Sequence, residues 1–231
     1  MKKIMNMVTI LTAALLLSGY SLAADNFNRM ARTFGRDIFI TDLNPTDDEL
    51  RMLKRSRQDL SDDQIVSEVR SEKLAHLIWD PIWAEFDKTH DVKPTEAEID
   101  DHIRAMEAFT NIMPNRQLPD DPKISAKMKK EVEREVAESF VKQWKRSKAL
   151  YEEYGGIVLF THFNPMEPFG AMRKLLESHQ AKGDFEIYDE QVKQQFWKYY
   201  LQDPISWKVL PPDKVDYSEP WWLMKPPGGG K

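Results

Sequence analysis

The chain has 231 residues, with 33 basic and 38 acidic side chains, a net charge of −5 and no cysteine. The acidic balance argues against a nucleic-acid partner, whose phosphates call for a basic face. Without cysteine no disulfide can staple the fold, so the apolar core must hold it alone, and the length suffices for one sizeable core or two small ones.

The N-terminus has the three parts of an export signal. Lys2 and Lys3 precede an apolar run from Ile4 to Leu17, Gly19 and Tyr20 break it, and Ser21-Leu22-Ala23 supplies small residues for cleavage after Ala23 or Ala24. A run of about 14 residues is too short to span a bilayer, which takes roughly 20, and no cysteine is present to carry a lipid. No other segment reads as a span. Residues 1–23 are therefore expected to be a signal peptide, and the mature chain a soluble protein of a bacterial periplasm. Without that segment the balance is 31 basic to 38 acidic residues, a net charge of −7, which disfavours adhesion to anionic lipid.

Glycine is absent between Gly35 and Gly155, as expected of a long helical block. Ahead of that block Ile38-Phe39-Ile40 reads as a short strand. Three capping boxes follow, Thr46 with Glu49, Ser61 with Gln64 and Thr95 with Glu98, each joining a hydroxyl cap to an N3 side chain that reaches back. Apolar periodicity marks the helices they open, through Val66, Val69, Leu74, Leu77 and Ile78 and through Ile99, Ile103 and Met106. Pro81 is expected to kink or split the first of these. After a proline-rich loop between Met113 and Pro122, a long helix is predicted over about 124–154. Its inner face is Val132, Val136, Phe140, Trp144 and Tyr151, and its back is rich in lysine and glutamate. Gly155-Gly156 caps it.

Ile157 to Phe160 reads as a second short strand, which could pair with residues 38–40. Asn164 and Pro165 are read as the cap and first residue of a helix closed by Gly183, and a last helix is predicted over about 189–201. From Asp203 the chain is rich in proline and tryptophan and ends Pro-Pro-Gly-Gly-Gly-Lys, an extended tail. The expected fold is mainly α, a helical body with one or two short strands.

Chemistry is sparse. Glu98 and His102, four apart on a helix, could present two metal ligands, but no third is indicated, so they are read as a solvated pair. Residues 42–46 begin like a calcium loop, yet Asp47 stands where the turn glycine belongs and Leu53 where the bidentate glutamate belongs. Thr161, His162 and Glu167, between a strand end and a helix, could form a small acid–base set. No nucleophile elbow, phosphate loop or dinucleotide fingerprint occurs. No metal, cofactor or catalytic residue is therefore assigned, with His162 and Glu167 kept as the enzymatic alternative. The stronger signal is aromatic: Trp79, Trp83, Phe86, Trp144, Trp197, Trp207, Trp221 and Trp222, with eleven methionines beside them. Core filling accounts for Trp79, Trp144 and Trp197, and the others suit an adaptable apolar binding surface.

Residues 34–155 resemble the N-terminal chaperone region of SurA-type periplasmic foldases. The resemblance is carried by the strand-like opening Phe34 to Leu43, the helix Val69 to Phe86, the stretch Asp91-Val92-Lys93-Pro94-Thr95-Glu96-Ala97-Glu98-Ile99-Asp100, and the long helix Lys129 to Tyr154. It implies a chaperone-type domain over 24–155; the chain's own pattern then gives a small strand–helix–helix subdomain over 156–202 and the tail 203–231. It also implies binding of unfolded or extended polypeptides, outer-membrane proteins among them. Nothing after Gly156 resembles the parvulin isomerase domain that many members carry. Trp83, Phe86, Trp221 and Trp222 are the residues expected to line the peptide cleft. A third reading is a scaffold or inhibitor that docks one partner through the tail.

Overall fold

The structure is a computed structural model that describes residues 29–112, 126–161, 164–201 and 208–224. The expected signal peptide lies outside these residues. The described chain is mainly α-helical with one small antiparallel sheet. Two strands open it, β1 (Arg29–Thr33) and β2 (Arg36–Phe39), followed by α1 (Ile40–Leu43), α2 (Asp47–Ser56), α3 (Asp62–Thr89), α4 (Glu96–Ile112) and α5 (Ala126–Tyr154). Then come α6 (Phe169–Lys182), β3 (Phe185–Ile187), α7 (Glu190–Leu201) and a single 3-10 turn, Pro212–Lys214. No helix among the described residues is long and apolar enough to cross a membrane.

All three capping boxes form. The Thr46, Ser61 and Thr95 hydroxyls accept from the amides of Glu49, Gln64 and Glu98, whose side chains accept in return from the cap amides. The Thr46 backbone amide, and after it the ammonium of Lys73, hold the Glu49 carboxyl down at about 2. Pro81 does not split α3, which runs through it without a break.

The chain divides into two compact units. The first contains residues up to Ile82 and residues 178–202. Its sheet has the order β2-β1-β3, antiparallel throughout, with Thr33 paired to Arg36 on one side and to Phe185 on the other. A two-residue turn joins β1 to β2. Phe34 and Gly35 both have positive φ, 47° and 82°, the handedness a tight hairpin requires. The expected partner of residues 38–39 was the stretch 157–160. They pair with β1 instead, because the hairpin closes locally at little entropic cost. Ala31, Ile38, Phe185 and Ile187 from the sheet are buried, as are Leu74, Ile78, Trp79 and Ile82 of α3 and Val192, Phe196, Trp197 and Tyr200 of α7. The Trp79 indole donates to the Tyr200 hydroxyl at 2.9 Å.

The second unit contains residues 83–177 and the chain from Asp203 on. Gly155 and Gly156, both at positive φ, end α5 and turn the chain over the start of α6. The crossing is close: a Cβ on Gly170 would sit 2.6 Å from the Ile157 nitrogen. Residues 157–160 are not a strand of a sheet. Leu159 alone forms bridges, one to Glu167 and one to Val209. The helix expected to start at Pro165 begins four residues later, at Phe169. Residues 164–168 are held instead by Glu167 pairing with Leu159 and by the Asn164 amide donating to Ser147. The core of this unit joins Val141 and Trp144 of α5 to Val158, Met166, Tyr217 and Trp222. The described part of the tail, 208–224, has no α-helix and packs into that core.

Candidate binding cleft

Helix α4 carries Ile99 and His102 on its buried side, one turn apart. His102 was expected to share a solvated pair with Glu98. Only 3% of it is exposed, and Glu98 turns to Thr95 and Lys145. The imidazole stacks on Phe140 with centroids 5.4 Å apart and planes 13° from parallel. Trp222 meets it edge-on at 5.0 Å and Trp221 at 6.1 Å. Neither ring nitrogen has a hydrogen-bond partner among the described residues, and the indole N–H groups of Trp144 and Trp222 also have none there. Burial in this aromatic box pushes the His102 pKa below the usual range, so the ring is neutral at pH 7. Each orphaned buried group costs about 1–3 kcal/mol relative to a satisfied one.

A cleft of about 570 Å³ opens beside this box. Ile103, Met106 and Val136 are its apolar lining, Glu107, Lys129 and Glu133 its charged lining, and His102 is shared with the aromatic cluster. The N-terminal half of α5 departs from the expected inward face. Met128, Val132 and Val136, four residues apart, are 52%, 51% and 46% exposed and form an apolar stripe. The core begins only at Ala137, Val141 and Trp144. The periodicity of α5 located this stripe but could not tell a buried face from an exposed one.

The residues singled out by sequence fall into two pairs. Trp83 and Phe86 meet edge-on at 6.3 Å on α3, and Trp221 and Trp222 at 5.4 Å. Trp83 is half-buried with the Arg146 guanidinium 4.5 Å above its ring, and Phe86 is buried and stacked on His90 at 3.9 Å. Arg146 also grips Asp87 with two hydrogen bonds, of 2.8 and 2.6 Å. Burial raises the Asp87 pKa, but the bonds from Arg146 and Lys142 outweigh it and hold the carboxyl below its usual range. Trp221 is half-buried and Trp222 buried. Glu167 is half-buried, with its backbone bonded both ways to Leu159, while His162 lies outside the described residues. Sequence reasoning placed His102 in a solvated pair and Phe140, Val132 and Val136 on one inward face, and did not join them as a site; the one available signal was a histidine in register with Ile99 and Met106 on an apolar helix face.

The cleft offers apolar walls, charges beside them and an aromatic floor. That chemistry holds an apolar side chain and leaves a polar backbone at the surface. Among the described residues no carboxylate or hydroxyl lies within hydrogen-bond reach of His102. Among the described residues no three histidine or acidic side chains converge as a metal site. Comparison with protein families, curated proteins and solved structures found no match to this chain.

Proposed function

We propose that this chain is an exported, chaperone-like binding protein that holds apolar stretches of unfolded or extended polypeptides, without isomerase activity. The observation that carries the reading is the exposed stripe Met128–Val132–Val136 running into the cleft floored by His102. Exposed contiguous apolar surface of this kind marks interaction sites. The export pattern of residues 1–23 and the resemblance of residues 34–155 to the SurA chaperone region support a periplasmic setting and outer-membrane proteins as clients.

The test is light scattering. An unfolded outer-membrane protein is diluted from denaturant with and without purified residues 24–231. Near-stoichiometric suppression is expected. The double variant Val132→Asp, Val136→Asp changes two exposed positions, so its helix content should hold while suppression is lost. A mature protein that leaves aggregation unchanged sinks the reading.

A further inference from the structure

We infer that residues 208–224 are a resident, displaceable occupant of the client groove. The client that replaces them is an extended segment bearing aromatic side chains, bound by the same contacts. This rests on the polypeptide-binding reading above and specifies where and how the client sits.

The backbone contact comes first. The Phe160 amide donates to the Lys208 carbonyl at 2.7 Å, and the Leu210 amide donates to the Val158 carbonyl at 2.9 Å. These bonds flank the isolated Leu159–Val209 bridge, so residues 208–210 run antiparallel against residues 158–160. Strand addition takes any extended backbone and leaves selectivity to the side chains. The side-chain contact follows. Beyond the 3-10 turn, Tyr217 and Trp222 enter the core formed by α5 with Val158 and Met166, and Trp221 closes on His102 and Phe140.

The quality of that seat sets it apart from a permanent core. The Trp222 indole, the adjoining Trp144 indole and both nitrogens of His102 are buried without hydrogen-bond partners among the described residues. Two desolvated partners that fit by shape but leave hydrogen bonds unmade separate at lower cost. An incoming aromatic side chain with a hydrogen-bonding tip would offer those groups what the tail does not. The open cleft touches the same His102, so a client held there is already next to the seat.

A tether tests this. Leu159 and Val209 face each other at a site without hydrogen bonds between them, where antiparallel Cα atoms lie about 4.5 Å apart, within disulfide range. The natural chain has no cysteine, so Leu159→Cys with Val209→Cys would form one defined bond. In the scattering assay the oxidised variant should lose client suppression at least tenfold. Reductant should restore it and should leave the natural chain unaffected. If the oxidised form suppresses as well as the reduced one, the tail does not leave and the inference is overturned, while the polypeptide-binding reading stands. If the natural chain itself fails to suppress, that reading falls and takes this one with it. A cross-linked dimer on a non-reducing gel would place the tail in a second copy, and also overturns it. A second arm needs no variant of the protein. A synthetic peptide of residues 208–224 should compete with client for the natural chain, and the same peptide with Trp221→Ala and Trp222→Ala should not; equal competition by both, or by neither, counts against the proposal.

Discussion

The two units bury the same kinds of side chain and treat their polar atoms differently. In the first, Trp79 donates to Tyr200, and Phe185, Phe196, Trp197 and Tyr200 pack ring against ring around that bond. In the second, Trp144, Trp222 and His102 are buried to a similar degree, yet none of their four side-chain nitrogens is bonded among the described residues. Burial alone therefore does not distinguish a core from a docked surface. The hydrogen-bond ledger does, because a permanent core has every reason to satisfy its donors. Within the second unit the contrast repeats: Tyr217 is anchored by its hydroxyl to the Met166 carbonyl at 2.6 Å, while Trp222, five residues on, is held by shape only.

The comparison can be broken in four ways. The largest effect is expected at the crossing that carries the groove. In Gly170→Ala the new methyl meets backbone that cannot move aside, so a loss of about 3 kcal/mol is expected by urea denaturation, with the second unit affected first. Next, Tyr200→Phe removes the acceptor of the Trp79 indole and should cost about 1–3 kcal/mol. His102→Phe keeps a ring on Phe140 and deletes two orphaned nitrogens, so it should be neutral or stabilising by up to about 1 kcal/mol. Equal losses in these two variants would erase the distinction between the units.

The smallest effect is a pH slope. Burial depresses the His102 pKa in the folded state, so the unfolded chain takes up the proton first. The stability tied to this group is complete above the ordinary histidine value of about 6.5 and declines as the pH falls below it, by on the order of 1 kcal/mol per pH unit until the folded group titrates. Urea midpoints measured from pH 7 downward should show that decline in the natural chain. It should be reduced in His102→Phe; an unchanged slope would place its origin elsewhere.

Local chemistry was legible in the sequence, and distant chemistry was not. The three capping boxes appear with the residues and bonds expected of them, because each is contained within four residues. The helices over 126–154 and 190–201 fall where their periodicity placed them. Strands β1 and β3 escaped notice because Arg29–Thr33 and Phe185–Ile187 are too short to show alternation, and because they find each other only across the whole fold. Residues 157–160 looked like a strand because they are apolar, but only one residue of that stretch forms bridges. Pro81 was expected to interrupt α3; a helix held on both sides of the missing bond continues through it. As for the candidate site, Trp221 and Trp222 were legible as aromatics in an unusual place. Their seat on His102 was not, since it joins α4, α5 and the tail.

The division of each unit between early and late sequence has a consequence for the order of assembly. Ala31 waits for Ile187 to complete its sheet, and Leu159 waits for Val209. A chain that emerges N-terminus first can close the first unit only once Ile187 is free, and the second only once Val209 is. The two folds are thus completed in order, the first with β3 and the second only with the strand-like contact of the tail.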